Sequence, residues 1–113
     1  MSNSILTTVK KLSGIEAEYD HFDTDLVIFI NTTFMTLNQL GVGPEEGYSI
    51  SGVEETWEDY LKEQKNIEAV KTYVSLQAKL FFDPPSSSAL IEAMERQIAQ
   101  IEWRLSVQAG TGV

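Results

Sequence analysis

The chain carries one histidine, His21, in the stretch EYDHFDTD, close to Asp20, Asp23 and Asp25. Carboxylates at that density could supply the several oxygens that a hard cation requires. The spacing does not match a calcium-binding helix–loop–helix, because the central glycine and the closing glutamate are missing. Acids placed before an apolar run have a simpler use: they cap and charge the positive end of a helix. No metal site is expected.

Other chemistries fare no better. There is no cysteine, so a thiolate nucleophile, a disulfide and a thiolate metal site are all excluded. Paired glutamates could act as general acid and base, yet no polar residue interrupts an apolar stretch in the way that a pocket would require. The segment GVGPEEG has glycines but no GxxxxGK[ST] pattern, and its glutamates would repel a phosphate. The sequence therefore predicts a protein that is not an enzyme and needs no cofactor.

Charge is the most informative part of the composition. The net charge is −9 and unevenly placed. Between Leu12 and Leu61 lie eleven acids and no Lys or Arg, whereas six acids face six bases from Lys62 onward. A field of that sign disfavours binding to nucleic acid and to anionic membranes. The start, MSNSILTTVKK, has no apolar core of signal-peptide length, and LVIFI is too short to cross a bilayer. A soluble protein made and kept inside a cell is expected.

The apolar periodicity predicts an all-α chain: a small bundle of about four to five helices, a long glycine-rich loop and a long C-terminal helix. Ile5, Leu6, Val9 and Leu12 predict a short first helix over 4–12, stopped by Gly14. An acidic connector follows, with Thr24 and its flanking aspartates as the next helix start. Within residues 25–41, LVIFI alone has the β-branched density of a strand. Leu26, Ile30, Phe34 and Leu37 share one helical face without a breaker, however, so a helix capped by Gly41 is predicted.

The segment GVGPEEGYSISGVEET holds four of the seven glycines and reads as a binding surface or a disordered loop, with YSI able to pair as a short strand. Thr56 and Asp59 stand at capping-box spacing and start a short helix. Residues 66–82 predict the central helix, apolar all round except for a stripe of Glu68, Thr72, Ser75 and Lys79. Asp83-Pro84-Pro85 ends it, and a serine among Ser86, Ser87 and Ser88 caps the last helix. One domain is expected over 1–107, with a small polar tail over 108–113.

In that last helix Ile91, Met94, Ile98, Ile101 and Leu105 form the buried seam, while rotation of 100° per residue sets Trp103 nearly opposite Ile101. Trp103 falls in line with Arg96, Ala99 and Val107. An aromatic set among arginine and small residues has the composition of an interface centre. Trp57 and Tyr60 fit either the core or that interface.

The C-terminal half, KTYVSLQAKLFFDPPSSSALIEAMERQIAQIEWRLSV, resembles a phage or prophage family of head–tail connector (head-completion adaptor) proteins. The resemblance rests on Lys71, Tyr73, Leu80, Phe82, Asp83, Pro84, Pro85, Glu95, Trp103, Arg104 and Leu105, and covers residues 66–107. It implies a virion neck protein, present in the host cytoplasm during assembly. It also implies a homo-oligomeric ring, usually dodecameric, beneath the portal protein. Such a ring extends the DNA channel and docks a stopper or tail-completion protein. DNA would pass through without specific binding. With that implication, Trp57, Tyr60, Arg96, Ala99, Trp103 and Val107 become candidate subunit or portal contacts. Glu16, Glu18, Asp20, Asp23, Glu45 and Glu46 become candidate channel-facing acids. Two alternatives remain on the residues alone: an acidic inhibitor that mimics DNA and binds a basic enzyme, and a helical interaction domain of a host protein.

Overall fold

The computed structural model describes residues 4–16, 18–61 and 67–108. Among these there are five helices: α1 (Ile5–Leu12), α2 (Asp23–Gln39), α3 (Trp57–Tyr60), α4 (Ile67–Phe82) and α5 (Ser88–Gln108). The all-α expectation holds, and LVIFI lies inside α2. The predicted first residue of α4, Asn66, and tail residues 109–113 lie outside the described residues; Gln108 still belongs to α5.

Local chemistry explains most of the boundaries. Ser4 caps α1, its hydroxyl accepting from the Thr7 amide at 3.2 Å. The helix buries Ile5, Leu6 and Val9. α2 begins earlier than predicted and its N-cap, Phe22, supplies no side-chain bond. Asp23 is instead in the first turn, where its carboxylate meets Lys10 of α1 at 2.8 Å. The far end of α2 is a Schellman turn. Gly41, at φ +90°, lets its own amide reach the Asn38 carbonyl and the Val42 amide reach that of Leu37 at 2.9 Å.

The glycine-rich segment is packed down. Val42 and Ile50 are buried. The Asn31 amide imitates a strand partner for Ile50, donating to its carbonyl at 3.0 Å and accepting from its N–H at 2.7 Å. That side chain takes the bonds a strand at YSI would need, and no strand forms there. Asn38 donates to the Pro44 carbonyl at 2.9 Å. Rings complete the closure: Tyr60 stacks on Phe34 at 4.3 Å and on Tyr48 at 5.2 Å between centroids. Gly43 lies against this stack at φ +86°, where a Cβ would stand 2.6 Å from a Tyr60 ring carbon. The segment is thus packed against the core on its inner side, with Glu45, Glu46, Ser51 and Val53 exposed on its outer side.

The Thr56–Asp59 capping box forms as predicted, with both reciprocal bonds at 3.1 Å. An isolated bridge of Ser4 with Thr56, in which the Ile5 amide donates to the Glu55 carbonyl, helps hold α3 to α1.

α4 is central, packing on α1, α2 and α5. Val70, Tyr73, Val74 and Ala78 are buried. Two positions depart from the predicted pattern. Ser75 is buried, and its hydroxyl has no hydrogen-bond partner among the described residues. Phe81 has the rotation of a core residue yet is 68 % exposed, its ring stacked on Phe29 of α2 while its neighbour Phe82 packs against the core. Lys79 then meets Asp83 at 2.8 Å, and the two prolines follow. Ser87 caps α5, accepting from the Leu90 amide at 3.3 Å.

Candidate assembly interface

α5 is built from its anchor outward. Ile98 and Leu105 are buried against the body, and Ile91, Met94 and Ile101 are half-buried, which is the predicted seam. Tyr73 of α4 fastens the helix, its hydroxyl donating to Glu102 Oε2 at 2.7 Å and accepting from Gln77 at 3.2 Å. Burial, and then the Glu102 carboxylate beside it, pushes the Tyr73 hydroxyl up to about 12. No residue from Ser88 to Gln97 is buried. The first half of a helix that is about 31 Å long is therefore held only by the half-buried Ile91 and Met94.

With the seam facing inward, Trp103 must face outward, and it is 60 % exposed. Arg96, Ala99 and Val107 share its side and are exposed too. Ala99, Gln100, Trp103 and Arg104 line a shallow open hollow of about 340 Å³. Neither Arg96 nor Arg104 makes an ion pair among the described residues. The surface offers a large ring, small neighbours and unneutralised guanidinium groups, which is the equipment of a protein-binding face.

Trp57 and Tyr60 do not belong to it. Trp57 is fully buried, its indole N–H donating to Thr8 at 3.1 Å, and Tyr60 lies within the ring stack, where burial raises its hydroxyl pKa. Both are core residues. Their i,i+3 spacing in a one-turn helix was the only sequence signal that they point the same way.

The candidate acids are divided. Glu16, Glu18 and Asp20 are exposed before α2, and Glu45 and Glu46 are exposed after it. The 17-residue helix between them spans about 25 Å, so the two groups are not one patch on a subunit. Asp23 is committed to the buried Lys10 and leaves the set. His21 is exposed between Tyr19 and Phe22, with ring centroids 5.9 and 5.0 Å away. Among the described residues no group of three or more His, Cys, Asp or Glu is placed to hold a metal ion. None of the described helices is long and apolar enough to cross a membrane.

Sequence reasoning missed a second exposed apolar face. Ile28 is 61 % and Met35 66 % exposed, one heptad apart on the outer side of α2. Phe29, next to Ile28, stacks on the exposed Phe81 at 5.1 Å. The signal was available: both residues lie opposite Leu26, Ile30, Phe34 and Leu37, and residues 26–44 carry no charge.

No curated protein and no solved structure matches the chain. The family model described as phage connector protein matches residues 5–112, nearly the whole sequence. That range includes both halves of the fold and every helix described above. The chain belongs to the phage connector protein family, the structural proteins that join head and tail in the phage particle.

Proposed function

We propose that this connector assembles as a ring, dodecameric by the resemblance, beneath the portal protein at the neck of the virion. There it continues the DNA channel and presents a docking surface to a stopper or tail-completion protein. Subunits would wait in the host cytoplasm until the capsid is ready. One observation carries the reading: the Trp103 face lies on a helix whose seam is already satisfied within the subunit, so it serves no purpose in the isolated fold. The largely apolar outer side of α2, with Asp25 at its start, adds a second, different surface, and two unlike surfaces are what a subunit with a neighbour on each side requires.

The test is a native mass measurement of the protein alone and with the portal protein of the same phage. A ring, or retention on the portal, is expected. A monomer under both conditions overturns the reading.

The negative potential fits a conduit through which DNA slides without sticking. We assign the channel wall to Glu16, Glu18, Asp20, Glu45 and Glu46, supplied by the segments before and after α2. Reversing several of these to lysine should slow DNA ejection, most strongly at low salt. Normal ejection at low salt would remove the channel assignment and leave the ring intact.

A further inference from the structure

We infer that the contact between neighbouring copies is α5 of one subunit laid in parallel on α2 of the next, with Ile28 entering the hollow over Ala99. This rests on the ring reading and says which two faces meet.

The spacing of the outward residues selects the pairing. On α2, Asp25, Ile28 and Thr32 follow one another by three and then four residues, all exposed. On α5, Arg96, Ala99 and Trp103 follow by the same three and four, also all exposed. Steps of three and four keep side chains on one face of a helix. Laid side by side in the same direction, the two triplets meet term by term. The Asp25 carboxylate meets Arg96, which has no ion pair among the described residues of its own subunit. The large Ile28 meets the small Ala99, at the lip of the hollow that Trp103 and Arg104 help to form. The large Trp103 meets the small Thr32, between Ile28 and Met35. Opposite charges and opposite sizes therefore coincide at three successive positions, as ridge-into-groove helix packing requires.

Charge argues against pairing two α2 faces, which would leave their Asp25 carboxylates without a cation, because no base lies between Leu12 and Leu61. α5 on α2 gives the Asp25 carboxylate a cation in Arg96. It is also heterologous: each subunit gives its α2 to one neighbour and its α5 to the other, so the contact propagates and can close into a ring.

The experiment uses full-length protein, with the portal protein present if assembly requires it. The chain has no cysteine, so introduced thiols are unambiguous. Ile28→Cys and Ala99→Cys are made separately and together, and treated with a short thiol cross-linker. Neither single variant should link to itself, a mixture of the two should give a dimer, and the double variant should give a ladder. In parallel, Asp25→Arg and Arg96→Asp should each weaken assembly by about tenfold or more, and the combined variant should recover most of it. Assembly without the mixed link, self-linking of Ala99→Cys, or full assembly of Arg96→Asp overturns the docking while the ring stands. A wild-type chain that never assembles removes the ring reading itself.

Discussion

Lys10 Nζ lies 2.8 Å from Asp23 Oδ1, and the lysine side chain is 2 % exposed while the aspartate side chain is 31 % exposed. The pair ties the last turn of α1 to the first turn of α2 and neutralises a cation inside the core. Asp23→Asn removes this carboxylate from the buried cation. The expected loss is about 2 kcal/mol, below the roughly 3–5 kcal/mol of a fully buried pair because water still reaches Asp23. Lys10→Met keeps the apolar stem and should cost less. Urea midpoints of the two variants check the order.

Gly43 is the most constrained glycine. An alanine there meets both the φ of +86° and the Tyr60 ring 2.6 Å away. Gly43→Ala should destabilise by about 2–3 kcal/mol, whereas Gly47→Ala, with a similar φ and open space around it, should cost about 1 kcal/mol. Thermal melts of the pair separate backbone strain from steric clash.

Tyr73 makes alkaline pH a probe of the α4–α5 contact. Its hydroxyl pKa is raised from 10.0 to about 12, so the folded chain holds a proton that the unfolded chain releases. The stability this proton confers is complete below pH 10 and declines as pH rises through about 12. Tyr60, raised by burial, adds to the decline in the same direction. Tyr73→Phe should cost about 1–2 kcal/mol at neutral pH and reduce the alkaline loss. Urea unfolding at neutral and alkaline pH reads both effects.

Ser75→Ala removes a buried hydroxyl that has no partner among the described residues. Unlike most core changes it should be neutral or stabilising, by up to about 1 kcal/mol. A clear drop in urea midpoint would mean that the hydroxyl is satisfied.

Trp103→Ala separates folding from assembly. The side chain is 60 % exposed, so the melting temperature of the subunit should barely move. Assembly should weaken by about 2–4 kcal/mol if the ring is an interface anchor. Parallel loss of both would assign Trp103 to the fold instead.

Much of this architecture was legible in the sequence because it is periodic. Leu26, Ile30, Phe34 and Leu37 predict the buried face of α2, and the α5 seam predicts that Trp103 points outward. What could not be read depends on partners distant in the chain. Trp57 is buried because α1 brings Thr8 to its indole, and four helical residues define too little of a face to announce that. No local pattern shows that Asn31 will hold Ile50 or that Asp23 will be taken by Lys10. Phe81 misled for a different reason: its rotation was right, but its ring stacks on Phe29 and stays exposed while Phe82 takes the place against the core.

The unburied first half of α5 also acts as a lever. From the Tyr73–Glu102 fastening back to Ser88 the arm is about 21 Å long, so a tilt of roughly 10° there carries its tip through nearly 4 Å. A tilt of that kind would let the arm follow small irregularities in the spacing of its neighbours, with the buried Ile98 as the contact that limits it.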